Sequence, residues 1–188
     1  MEWLTELATN FSALLFTKEI SDEAHISEVV QAEDIHLIGM TFSADFKLVL
    51  AFLHLTDETD VEHYREIASK WTMFHGGHCL LPDARALKFF RSEAKAADLF
   101  DPRAWPIPKP FTIWQVQETL TQAIRMYTAV KPEVRQLFFM PQSGALEKWY
   151  GRMERAIRGK PSGLPFQNIA RPRADEGGFH GYERIENH

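Results

Sequence analysis

Over the first sixteen residues apolar side chains recur every three or four positions, at Trp3, Leu4, Leu7, Ala8, Phe11, Leu14 and Leu15. That spacing predicts an amphipathic helix. Ser21, followed by Asp22 and Glu23, is a helix start signal, and a second short helix is expected through Val30. The period then changes. In "DIHLIGMTF" and "DFKLVLAFLHL" both alternating sets are apolar, with Ser43-Ala44 as a tight connection between them. The pattern predicts a buried hairpin near the middle of a sheet.

Helical spacing returns at Val61, Tyr64, Ala68 and Trp71 and stops at Gly76-Gly77, where glycine can take φ > 0. A further helix is expected in "DARALKFFRSEAKAADLF", to about Phe100. Four prolines between Asp101 and Phe111 rule out helix or central strand there and predict a stiff surface connection. Ile113, Val116, Leu120, Ile124 and Tyr127 form the next helical stripe, Pro132 ends it, and "VRQLFFM" reads as a third strand. Ser143 caps a last helix through Arg158.

The expected product is a single α+β domain over residues 1–159, a small mixed sheet of three to five strands with helices packed on it. Residues 160–188, rich in Gly, Pro and charge without a sustained period, read as a C-terminal tail.

Charge is unevenly spread. Residues 1–66 carry 14 Asp/Glu against 3 Lys/Arg, net −11, and residues 67–188 carry 12 against 18, net +6. One part of the molecule would repel polyanions and another attract them, unless the two neutralise each other within the fold. The single cysteine excludes an intrachain disulfide and suits a reducing compartment. The start of the chain lacks the early basic residues of a secretory signal, and no apolar run reaches the roughly 18 residues a membrane span needs. A cytoplasmic protein is expected, with peripheral membrane contact left open.

Chemistry-bearing residues concentrate in "MFHGGHC", Met73 to Cys79. His75, His78 and Cys79 are the candidate catalytic residues: three metal ligands, or a thiol with a histidine base. In the bland alternative Cys79 is a small buried hydrophobe after a glycine turn. In a further reading Gly76, Gly77 and His78 turn main-chain N–H groups onto an anion. Asp57, Glu58 and Asp60 are candidate ligands for a divalent metal ion, or acidic residues at a helix start.

The second concentration is "SGALEKWYGRMERAIRGK". Leu146, Trp149, Tyr150, Met153 and Ile157 form an apolar stripe, while Lys148, Arg152 and Arg155 recur on another face, with Arg158 beside them. From Lys131 to Arg173 there are nine Lys/Arg and three Asp/Glu. A polyanion could lie along that face, its phosphates held by guanidinium groups. Otherwise the face is simply solvated.

"HGGHCLLPDARALKFF" resembles the glycine–histidine box of the ParB/sulfiredoxin superfamily over about fifteen residues, with Leu80 where that family has an arginine. The resemblance implies an Ala-rich helix after the turn, with Arg85 on it. It also implies nucleotide or nucleic-acid phosphate binding of the kind found in partition proteins, small nucleases and NTPases, and plasmid-borne inhibitors of conjugative transfer. A second stretch, a helix, the "VRQLFFM" strand, then Ser143, Ala145 and Tyr150, is similar to the closing helix-strand-helix of GNAT acyltransferases. It lacks that family's pyrophosphate loop, since "PFTIWQVQETL" has no glycine.

The expectation is therefore a nucleotide- or nucleic-acid-binding protein, nuclease or NTPase activity being what the first resemblance adds. A non-enzymatic module for a partner protein is the alternative. It would engage through the acidic N-terminal third or the tail, with Phe179 and Tyr182 as docking residues. A GNAT-like fold without the pyrophosphate loop is the third.

Overall fold

A computed structural model describes residues 2–16, 23–54, 61–99, 101, 103–141, 144, 146–148, 150–151, 164–170 and 178–185. The elements run α1 (Glu2–Asn10), α2 (Ser12–Leu15), β1 (His25–Ile26), β2 (Val30–Ala32), β3 (Ile35–Ser43), β4 (Phe46–His54) and α3 (Val61–Phe74). They continue with β5 (Arg85–Arg91), α4 (Ile113–Val130), β6 (Gln136–Phe139), β7 (Phe166–Asn168) and β8 (His180–Arg184). Helical backbone also occurs at 144, 146–148 and 150–151. The architecture is α+β. The sheet is mixed and eight-stranded, ordered β1-β3-β4-β5-β6-β8-β7 with β2 also on β3, and so exceeds the three to five strands expected. Among the described residues no helix is long and apolar enough to cross a membrane.

The extra strands come from stretches that read as helix or tail. The expected helix through Val30 is instead, from Glu23 on, β1 and β2, antiparallel to β3 through His25↔Thr41 and Val30↔Leu37. Ser21 and Asp22, its expected start, lie outside the described residues. The helix expected over residues 83–100 is β5 followed by turns. Its first four residues, Arg85, Ala86, Leu87 and Lys88, are all buried, so both faces of the strand are covered. Alanine and lysine favour a helix in isolation, but a place between β4 and β6 outweighs that preference. The 160–188 stretch supplies β7 and β8, paired antiparallel through Asn168↔Tyr182.

The chain divides into two compact units. The first comprises Met1–Phe52 and Lys88–Tyr127. Here His36 Nδ1 lies 2.9 Å from the Tyr127 hydroxyl of α4, and Phe52 stacks on Tyr127 with ring centroids 3.5 Å apart. Gly39, of opposite parity to His36 on β3, faces α2, and a β carbon there would lie 1.9 Å from the Leu15 carbonyl oxygen. Helices therefore cover both faces of β3, and only glycine admits α2 so close.

The second unit comprises Leu53–Leu87 and Thr128–His188. Its core gathers Trp71 of α3 with Phe138 of β6 and Phe179, at centroid distances of 5.4 and 6.2 Å. β5 and β6 run parallel, from Arg85↔Leu137 to Leu87↔Phe139, and β6 pairs antiparallel with β8 from Gln136↔Glu183 to Phe139↔His180. Side chains alternate along β6, so Phe138 meets Trp71 on one face and Phe139 meets Tyr150 on the other.

Candidate functional site

The 73–79 stretch ends α3. Gly76 has φ 62° and Gly77 φ 98°, and the Gly77 N–H donates to the Thr72 carbonyl at 2.9 Å. A left-handed glycine followed by an N–H reaching back over the last turn is the Schellman arrangement. The His78 N–H donates to the His75 carbonyl at 3.3 Å. Two of the donors expected to converge on an anion are thus spent on the chain itself. They also sit at a helix C-terminus, where the dipole repels negative charge.

His75, His78 and Cys79 do not converge. His75 is buried against the Trp71 ring, centroids 4.1 Å apart, and its Nδ1–H donates to the Ala170 carbonyl at 3.2 Å. His78 and Cys79 are exposed, so Cys79 is not the buried hydrophobe expected. Among the described residues no group of three or more His, Cys, Asp or Glu is placed to hold a metal ion. Asp57, Glu58 and Asp60 lie outside the described residues, as do Arg152, Arg155 and Arg158.

Arg85 is on a strand rather than on the expected helix. It is 9% exposed, and one guanidinium nitrogen donates to the carbonyls of Asp83 and Ala84 at 3.3 and 3.2 Å. Lys148 is exposed on the helical stretch. Phe179 and Tyr182, expected as docking residues, are buried at 6% and 3% exposure and serve the core.

The 79–83 connection is tied to β6 from two sides. The Gln136 amide donates to the Cys79 carbonyl at 3.1 Å and accepts the Leu81 N–H at 2.8 Å. Arg135 grips Asp83 through Nε at 2.8 Å and Nη2 at 3.3 Å, a bidentate pair. This bracing fixes where β6 starts relative to β5.

At the far end of β6 the second unit holds a polar cluster that pattern reading did not pick out. His180 lies opposite Phe139 in the β6–β8 register and is fully buried. Its Nε2 is 3.0 Å from Glu147 Oε1, an N–H donating to a carboxylate whose side chain keeps 28% exposure. Tyr150, one helical turn after Glu147, packs on Phe139 at 4.7 Å and edge-on against His180 at 5.8 Å. Burial, and secondarily the Glu147 charge, push the Tyr150 phenol well above the ordinary tyrosine range. The phenol therefore stays protonated through neutral pH and beyond. A neutral phenol thus lies edge-on against a carboxylate-bound imidazole.

In the sequence Tyr150 belongs to an apolar stripe and to the GNAT-like spacing. His180 carries no such signal, because "FHGYER" sits among Gly and charge. The alternation of His180, Tyr182 and Arg184 against Phe179 and Gly181 was the available strand signal.

In comparisons with family models, curated proteins and solved structures nothing matches this chain.

Proposed function

We propose that this protein is an acyl-transfer protein with a GNAT-like closing half, which takes the thioester end of a nucleotide-bearing acyl carrier between the end of β6 and the helical backbone that carries Tyr150. The observation that carries this reading is the placement of Tyr150. A helical stretch following β6 lays that phenol on Phe139, the last residue of β6, and β5 runs parallel to β6. Ligands of parallel strands collect outside their carboxyl ends. The helix, strand and second helix on which the resemblance rests are α4, β6 and that stretch.

The chemistry would be the attack of an amine nitrogen on the thioester carbonyl carbon. The C–N bond forms, the C–S bond breaks, the departing thiolate takes the Tyr150 proton, and the proton that the amine nitrogen gives up returns to the phenolate. The carrier's phosphates have no glycine turn to rest on. Exposed Lys148, with Arg152, Arg155 and Arg158 following it in sequence, supplies the positive charge instead. One unpaired cysteine agrees with a cytoplasmic setting.

Titration calorimetry with coenzyme A and acetyl-coenzyme A is expected to give saturable binding. Thiol release in the presence of a panel of primary amines should fall in Tyr150→Phe while carrier binding persists. No binding of either compound overturns the reading. Retention of DNA or RNA in its place returns the basic run to nucleic acid.

A further inference from the structure

Arg85 brings a buried charge into the second unit that the Tyr150 corner does not use. Ala86, the next residue of β5, belongs to the core around Trp71, so Arg85 lies on the opposite face of the strand. There it is level with Leu137 of β6, which is in turn level with Tyr182 of β8. The side chain folds back on its own backbone. Nη1 donates to the carbonyls of Asp83 and Ala84 at 3.3 and 3.2 Å, which commits that nitrogen to the main chain. The other edge of a guanidinium, Nε with Nη2, is the one that takes a two-oxygen anion side-on. On Arg85 the Nε is buried, and among the described residues neither Nε nor Nη2 has an acceptor.

The adjacent arginine shows that edge in use. Arg135 applies its own Nε and Nη2 to the Asp83 carboxylate at 2.8 and 3.3 Å, and its main-chain N–H adds a third bond there at 3.2 Å. Asp83 is therefore held at both ends, its carbonyl by Arg85 and its carboxylate by Arg135. Two guanidinium groups meet one carboxylate, and the excess is one positive charge. Among the described residues no salt bridge reaches Arg85, although it is only 9% exposed. A guanidinium cannot shed its charge as a lysine can, so burial without a counter-charge is costly and an anion relieves it. The cluster is not sealed, since the Asp83 and Arg135 side chains are 21% and 53% exposed.

We propose that the amino ends of β5 and β6 form a binding site for a small oxyanion, two oxygens of a phosphate or a carboxylate accepting from Nε and Nη2 of Arg85. Arg135 adds attraction and Asp83 opposes it. The site lies at the other end of β6 from Phe139 and is independent of thioester binding there.

The test is NMR of the arginine Nε–H groups in the ¹⁵N-labelled full chain, titrated with sodium phosphate or sodium acetate at an ionic strength held constant with sodium chloride. The signal that Arg85→Lys deletes is expected to shift saturably with at least one of the two, and the tighter one names the source of the oxyanion. Arg85→Met should weaken that anion at least about tenfold in calorimetry. Arg85→Lys keeps the charge without the fork and should weaken it in the same direction, which keeps the proposal testable if methionine is not tolerated. Asp83→Asn removes the opposing charge and leaves the Arg85 fork, so it should tighten the anion about threefold or more even though it loosens the Arg135 brace. No shift of the Arg85 signal with either anion overturns the proposal. So does affinity unchanged in both Arg85 variants, which would hand the anion to the basic residues from Lys148 onward. Equal weakening in Arg85→Met and Asp83→Asn would make the effect one of fold stability and overturn it too. Coenzyme A binding, measured on the same preparations, reports separately on the β6 corner.

Discussion

A β carbon on Gly181 would lie 2.4 Å from Cη2 of Trp71 and 2.9 Å from Nε2 of His75. Gly181 pairs with Phe138 in the β6–β8 ladder, so its backbone has no freedom to tilt away. Trp71 is fully buried among Phe138, Phe179 and Ile67 and has nowhere to withdraw. The Gly181→Ala variant is therefore an overpacked core. A loss of about 1–3 kcal/mol is expected, which for a chain of this length lowers Tm by a few degrees to about 10 °C. Differential scanning calorimetry checks it, and an unchanged Tm would mean that α3 does not rest on β8 as described.

The Tyr150 phenol links stability to alkaline pH. Its proton is held more tightly in the folded state than in the unfolded one, first because it is buried and second because Glu147 is close. Above about pH 10, the ordinary phenol value, the unfolded state releases that proton and the folded state does not. Stability contributed by this group is thus complete below pH 10 and declines as pH rises past it. Tyr150→Phe should show a shallower alkaline loss of stability in urea titrations from pH 9 to 11. Glu147→Gln should bring the phenol titration partway down, because it removes only the smaller cause. The absorbance of tyrosinate near 295 nm follows it directly.

What the sequence disclosed, and what it hid, follows from which forces act locally. The β3–β4 hairpin, α3, α4 and β6 were legible because each carries its own period and its own stop, such as Gly76 or Pro132. β5 was not. "ARALKFF" has helix-favouring residues and apolar character on both sides, and only the flanking strands decide for extended chain. β1 and β2 are two and three residues long, too short to show a period, and exist by pairing with β3. The same limit hid the His180–Glu147 pair. Thirty-three residues separate the partners, and nothing local announces that β8 returns beside β6. The Met73–Cys79 stretch shows the converse. Its composition drew attention to chemistry, while two glycines and a reach-back hydrogen bond had the simpler task of ending a helix.

That task is measurable. Gly77 has φ 98° with nothing within 4 Å of where a β carbon would be, so only the backbone conformation resists a side chain. Gly77→Ala should cost about 1–2 kcal/mol through left-handed strain alone. It should leave coenzyme A binding unchanged, since the turn caps α3 and does not hold phosphate. Chemical denaturation with calorimetry on the folded variant reads both. A variant of normal stability that had lost phosphate binding would restore the anion-turn reading.

Lys88 tests how dry the first unit is. The side chain is 5% exposed, and burial lowers its ammonium from the usual lysine value to about 8. Below pH 8 both folded and unfolded states hold the proton, so the desolvation that weakens the folded state's hold on it counts against the folded state, on the order of 3 kcal/mol. Between pH 8 and about 10.5 the folded state has released the proton and the unfolded state still binds it, so stability rises with pH in that window. Lys88→Met removes the titration while keeping an unbranched chain of similar volume. The variant should be more stable than wild type at pH 7, and its advantage should shrink steadily from pH 8 to pH 10.5. Urea unfolding at five pH values across that range measures the difference, and an advantage independent of pH would mean that the Lys88 ammonium is solvated rather than buried.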